Sequence, residues 1–161
     1  MLRILRRVLI AMLLIALVSP SVLADDDKLS RATLKGIITV SVLVEDLPSG
    51  ASKLGLTVGT IYTDVELKLR SAGLRVITHA PTGTPYVYVQ INMTDDSAAT
   101  HIQLELAQDM LIKRTLEDAV GVPTWSKGGV MSRPTAQGVR DMVRDLVESF
   151  LNAWLTVNPK K

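Results

Sequence analysis

Between residues 86 and 93 the chain alternates without a break. Val87, Val89, Ile91 and Met93 fall in one phase, and Tyr86, Tyr88, Gln90 and Asn92 in the other. Successive side chains of an extended chain point to opposite faces, so this segment reads as a strand with one apolar and one polar face. The pattern recurs from His101 to Ile112, where Ile102, Leu104 and Leu106 alternate with His101, Gln103 and Glu105. Gln108 interrupts the apolar phase, which resumes at Met110 and Ile112, as in a strand that leaves a core or carries a bulge. The segment 94–100 joins the two strands as an antiparallel hairpin. Keeping both apolar sets on one face requires paired residue numbers to sum to an odd total, for example Ile91 opposite Leu104 and Gln90 opposite Glu105.

A sheet with one apolar face needs a cover, and two segments have the helical period to supply it. Val58, Ile61, Tyr62, Val65, Leu69 and Ala72 form one stripe of a helix over 58–72, with Thr57 as N-cap and Gly73 as stop. Asp64, Lys68 and Arg70 then lie on its wet side. Val139, Met142, Val143, Leu146, Val147, Phe150, Leu151 and Trp154 form a second stripe on a helix running from about Pro134 to Thr156, capped by Ser132 and stopped by Asn158-Pro159. Ile37 to Val44 reads as a first strand, with Ile38, Val40, Val42 and Val44 in phase, and Leu74 to Thr78 as a short one. Asp46 to Gly55 is broken by Pro48, Ser49, Gly50 and Gly55 and reads as a loop whose glycine spacing fits no phosphate-binding fingerprint. Residues 116–123 are ambiguous, and Val122 to Ser126 reads as a last strand ending before Gly128-Gly129. The order is β-α-β-β-β-(β)-α. It predicts an α+β fold, a two-layer sandwich in which a mixed sheet of four to five strands carries two helices on one face.

The first 24 residues stand apart from that domain. Arg3, Arg6 and Arg7 precede an uninterrupted apolar run from Val8 to Val18, then Pro20 and the small-residue site Val22-Leu23-Ala24. This is the pattern of a secretory signal peptide cleaved after Ala24, and the run is shorter than the roughly 20 apolar residues that span a bilayer. Residues 25–35 are a polar mature terminus opening with Asp25-Asp26-Asp27, residues 36–157 one domain, and 158–161 a tail. The leader takes three of the 18 basic residues and none of the 16 acidic ones, so 15 basic and 16 acidic residues remain, a net charge of −1. The whole-chain isoelectric point near 9.0 therefore describes the precursor. Nucleic acid is not an expected partner, because phosphate binding needs clustered basic charge. Nor is stable membrane insertion expected once the leader is removed. With no cysteine in the chain, disulfides, thiolate metal sites and acylation at cysteine are all excluded. A cysteine-free exported domain fits the bacterial periplasm or a secreted location.

The run "IITVSVLVEDLPSG", followed by an amphipathic helix ending "KLRSAGLRVI", resembles the opening of the TolB amino-terminal domain and of the CsgG and LpoB folds. "YVYVQINM", "IQLELAQDMLIKR" and "PTWSKGG" would occupy the meander that follows. The resemblance covers most of residues 36–156 as a pattern and matches no invariant motif, so it assigns no functional residue. It implies a domain that binds partners in the bacterial envelope and is not an enzyme.

Candidate chemistry is sparse. The two histidines, His79 and His101, sit at strand ends, and no nucleophile elbow, metal-binding histidine pair or placed carboxylate pair accompanies them. No catalytic residue, cofactor site or metal site is assigned. The alternative is a small periplasmic enzyme or small-ligand carrier with a pocket near His79 or His101. The leading candidate is the sheet face away from the helices. There Tyr86, Tyr88, Gln90 and Asn92 join His101, Gln103 and Glu105, a mixture of rings and amides suited to contact with an envelope protein or polymer. The competing reading is an ordinary solvated face in which the tyrosines only stiffen cross-strand pairs.

Overall fold

The computed structural model describes residues 26–159; the expected leader, its cleavage site and residues 160–161 lie outside the described residues. Nine elements follow one another. Helix α1 is Lys28–Ala32, β1 Thr39–Val44, α2 Ser49–Lys53, α3 Val58–Ala72, β2 Arg75–Val76, β3 Tyr86–Met93, β4 Ala99–Ile112, β5 Glu117–Ser132 and α4 Ala136–Val157. The strands form one sheet in the order β2-β1-β3-β4-β5. β1 is parallel to β2 and β3, whereas β3, β4 and β5 form an antiparallel meander. The fold is α+β, a mixed five-stranded sheet with the two long helices packed on its apolar face. Among the described residues no helix is long and apolar enough to cross a membrane.

The face assignment follows from the phases. Val87, Val89 and Ile91 of β3 and Ile102, Leu104 and Leu106 of β4 are buried together. Across the ladder Val87 faces Leu106, Val89 faces Leu104 and Ile91 faces Ile102. Paired numbers have the expected odd total, but the register lies two residues from the expected one, in which Ile91 faced Leu104. The reason is the connection. Thr94 Oγ1 accepts from the amides of Ala98 and Ala99, and Asp96 Oδ1 also accepts from Ala98. These bonds close a tighter loop, with Ser97 in the left-handed region at φ 54°. The ladder therefore begins at Met93–Thr100, ahead of His101.

Helix α3 has the expected bounds, the Thr57 side chain accepting from the Thr60 amide and Gly73 closing it at φ 105°. Val58 is nevertheless exposed over about a third of its surface, at 37%, and Ile38, expected in the buried phase of β1, precedes the strand with 73% of its surface exposed. Ile37 is buried in its place. Helix α4 starts later than expected. Its N-cap is Thr135, whose hydroxyl accepts from the Gly138 amide, and not Ser132, which is the last residue of β5. The last strand likewise runs from Glu117 through Gly128-Gly129 instead of stopping short of them. The segment expected as a plain loop at 46–55 contains the single-turn helix α2.

Three features lock the elements together. Trp125 on β5 is 1% exposed and meets Phe150 of α4 edge-on, ring centroids 5.3 Å apart at 66°. Asp64 of α3, expected on the wet side, is held by α4. Arg140 donates to both its oxygens at 2.7 and 3.0 Å, and Arg144 lies 3.4 Å away. The third is a clasp between the ends of the described chain. Asn158 accepts from the Gly36 amide and donates to the Leu34 carbonyl, and the Trp154 indole donates to the Ile37 carbonyl. Residues 26–35, read as a polar terminus, thus contain α1 and contribute Leu34, fully buried, to the core.

Phe150→Ala is expected to cost about 3–5 kcal/mol, because it opens a cavity and leaves the Trp125 ring without its partner. Leu67→Ala, at an exposed position of α3, serves as the control, and denaturant midpoints distinguish the two. The Arg140 guanidinium, with burial opposing it and Arg144 assisting, holds the Asp64 carboxyl below its ordinary value near 3.8. A depressed folded-state pKa adds stability that is full above the ordinary value and is lost as pH falls through the folded value. Asp64→Asn should therefore lower stability by about 1–2 kcal/mol at neutral pH, and the difference from wild type should close as pH falls from above 3.8 through the lowered folded-state value. Parallel urea titrations at neutral pH and across that range check this.

Candidate binding face

The face away from α3 and α4 is built by the ladder in transverse rows. Ser41, Tyr86 and Ala107 form one row; Leu43, Tyr88, Glu105 and Ser126 the next; then Gln90, Gln103 and Gly128; then Asn92, His101 and Val130. All seven expected residues, Tyr86, Tyr88, Gln90, Asn92, His101, Gln103 and Glu105, lie on this one face. Asn92 is exposed and the other six are half-buried.

The burial has a local cause. Gly121 lies so close to the Tyr86 hydroxyl that a Cβ there would approach it to 2.9 Å. The Tyr86 ring therefore reaches laterally towards β5 past its cross-strand partner Ala107, which is 2% exposed. Tyr86 is a strut between β3 and the β4–β5 hairpin more than a free contact. Gly121, at φ 64°, also donates its amide to Asp109 Oδ1 at 3.0 Å. The same logic applies at Gly128, where a Cβ would fall 2.6 Å from Gln103 Oε1 and 3.1 Å from His101 Nε2. The missing side chain lets Gln103 and His101 lie over β5. On the opposite face of the same strand, a Cβ on Gly129 would come within 3.2 Å of Met142 Sδ, so this glycine sets how closely α4 approaches. The Gly-Gly pair thus continues the strand because both of its faces are crowded.

Tyr88 sits in the middle of the patch. Burial, then the hydrogen-bonding carboxylate of Glu45, and more weakly the charge of Glu105, push its hydroxyl above the ordinary tyrosine value. Gln103 Nε2 donates to Glu105 Oε1 at 3.3 Å. Apolar surface flanks this polar centre, Leu43 being 51% exposed and Val130 71%. Leu43, Glu45 and Val130 belong to the face but were not singled out from sequence. The phase of Leu43, opposite to Val42 and Val44, carried the signal.

The histidines are not brought together. His79 is exposed in the connection from β2 to β3, while His101 borders a shallow cleft of about 390 Å³ with Pro48, Met93, Thr94 and Val130. That cleft's lining has no carboxylate to pair with His101. Among the described residues no group of three or more histidine, aspartate or glutamate side chains is placed to hold a metal ion. What the face offers is planar rings, amides that both donate and accept, and two carboxylates, Glu45 and Glu105.

No family model matches the chain, and no curated protein does. Among solved structures it is similar to a dodecamer of a PelC point variant from Paraburkholderia phytofirmans, at 14% identity and a TM-score of 0.38 over 74% of this chain and 86% of that one. It is also similar to a minor lipoprotein from Acinetobacter baumannii, at 8% identity and a TM-score of 0.35 over 77% and 95%. Both are bacterial proteins, and likenesses this distant carry no functional weight. The resemblance to TolB, CsgG and LpoB stays at the level of pattern, with no family shown.

The Tyr88 environment gives a direct test of the face. Its hydroxyl is expected to ionise above the ordinary tyrosine range, and Glu45→Gln to bring that ionisation down. Phenolate absorbance against pH, with Tyr88→Phe identifying the component, reads the shift; an unmoved titration contradicts the placement of Glu45 beside the ring.

Proposed function

We propose that this chain is a non-enzymatic binding or assembly module of the bacterial envelope. Its first 24 residues direct export, cleavage follows Ala24, and the mature domain works in the periplasm or outside the cell without inserting in the membrane. It docks a protein or polymer partner across the open sheet face. One observation carries the reading: both long helices pack on one side of the sheet, which leaves Tyr88, Gln90, Gln103, Glu105 and Leu43 together on the other side, where no element among the described residues covers them. Rigid rings and short amides give contact area with little side-chain entropy to lose, and the Leu43 and Val130 side chains add apolar area at its margins. The alternative, a ligand carrier or enzyme using the His101 cleft, has only a shallow apolar recess to support it.

Site-specific photocrosslinking in the producing cell separates the readings. A crosslinking residue at Gln90 or Leu43 should trap a discrete product, and one at Asp141, exposed on α4, should trap none. Tyr88→Ser combined with Leu43→Asp should abolish the product while leaving the circular dichroism spectrum unchanged. A product obtained from Asp141 and none from the sheet face would overturn the proposal.

A further inference from the structure

Beyond the core the β4–β5 hairpin continues as a two-stranded arm. Two irregularities interrupt the ladder, between Leu106 and Ala107 and between Gln108 and Met110, and past them Met110 pairs with Ala119, Leu111 with Asp118 and Ile112 with Glu117. Every residue from 109 to 118 is exposed. Yet the arm is not polar. Met110, Leu111, Ile112, Leu116 and Val120 are 40, 56, 39, 75 and 74% exposed. They are five of the eleven exposed large hydrophobic residues among the described ones, gathered in one short stretch. By the register, Met110 and Ile112 share one face of the ribbon with Ala119 and Glu117, and Leu111 shares the other with Asp118. Both faces are thus apolar in part. A lone two-stranded ribbon has little stability of its own in water, and clustered exposed apolar side chains mark a contact surface.

The turn adds an independent sign. Leu116 stands at φ 59°, closing the turn through its amide to the Ile112 carbonyl at 2.8 Å. A left-handed position strains a residue that carries a branched side chain, a cost that glycine or asparagine would avoid. The sequence nonetheless puts leucine there, three-quarters exposed at the tip, where it contributes nothing to this domain's core.

The charges identify the occupant. Lys113 and Arg114 form the tip, and Glu117 and Asp118 follow on the returning strand, with Asp109 near the base. Among the described ion pairs none involves these five. The arm is therefore close to neutral overall but divided into a positive and a negative part. An anionic lipid surface would meet the acidic pair as well as the basic one, and dipping the tip into hydrocarbon would bury Glu117 and Asp118 at high cost. A second identical arm, crossing the first antiparallel about a two-fold axis, sets Lys113 and Arg114 of each copy against Glu117 and Asp118 of the other while the leucines meet between them. We propose that residues 109–120 are a self-association arm through which two copies of this chain form a symmetric dimer, leaving the sheet face free on each.

Sedimentation velocity and equilibrium of the exported, soluble protein test this. The weight-average mass should rise towards two chains per particle with concentration. Leu111→Asp with Leu116→Asp should weaken association by about tenfold or more, the scale of losing interface hot spots. Lys113→Glu with Arg114→Glu, and separately Glu117→Lys with Asp118→Lys, should each give monomer at concentrations where wild type is dimeric. Mixing those two charge variants should restore a heterodimer, an outcome that only complementary pairing between arms produces. Wild type that stays monomeric throughout the range, or a dimer that survives the Leu111 and Leu116 changes, overturns the proposal. So does flotation of monomeric wild type with phosphatidylcholine–phosphatidylglycerol vesicles that the same leucine changes abolish, since the arm would then be a lipid contact.

Discussion

The edge-on contact between Trp125 and Phe150 is the interaction on which the rest of the structure leans. It joins the last strand to the last helix, the two elements that close the core, and it fixes the depth at which α4 rests on the sheet. It also creates an obligation. A buried indole N–H needs an acceptor, and Trp125 finds it in Asp26 Oδ1 at 3.0 Å. Asp26 is in turn held by Arg31 through two bonds of 2.7 and 2.9 Å, and that guanidinium, with help from the indole, keeps its carboxyl below the ordinary aspartate value. The second tryptophan behaves the same way: the Trp154 indole reaches the Ile37 carbonyl at 2.8 Å. Both tryptophan N–H groups are therefore satisfied by the chain immediately ahead of β1, which explains why a segment as polar as 26–35 is folded onto the domain instead of trailing from it.

That dependence marks the boundary of what could be read in the residues beforehand. Elements defined by a period along the chain were legible. The strand at 86–93, the helix at 58–72 with its Thr57 and Gly73 ends, and the shared apolar face of β3 and β4 all follow from patterns within a dozen residues. Features set by a distant partner were not. Gly128 and Gly129 read as a stop, and only the nearness of Gln103 on one side and Met142 on the other explains glycine inside a strand. Asp64 read as solvated because the arginines that neutralise it lie 76 and 80 positions away on α4. The register missed by two residues because loop closure rests on the Thr94 and Asp96 side chains, and a shift of two preserves the faces that the hydrophobic pattern enforces.

The candidate face divides along the same line. Which residues share it was a matter of parity and was legible; what each does there was not. Tyr86 and Tyr88, two positions apart and equivalent by pattern, have different surroundings. One bridges to Gly121 through a bulged strand, and the other sits between Glu45 and Glu105. The proposed contact surface therefore centres on Tyr88 and Gln103, with Leu43 at its margin, and not on both rings. The Tyr86 strut belongs to the geometry that stiffens the base of the hairpin.

The hairpin itself shows why one strand pair can serve two ends. Up to Leu106 its β4 strand is governed by the core: alternation is strict, Ile102, Leu104 and Leu106 are buried, and Trp125 is buried opposite Leu106 on β5. Past the two irregularities the constraint changes, because among the described residues no helix covers the ribbon and residues 109–118 are all exposed. A ribbon freed from the core has no reason to remain apolar, since polar residues would hold the same ladder at no cost in burial. Persistence of Met110, Leu111, Ile112 and Leu116 beyond the point where the core ends is the observation on which the proposed self-association rests. Bulges bend a strand and increase its twist, and the two irregularities stand between the open face and the arm, so the proposed arm contact and a partner on the sheet would use separate residues.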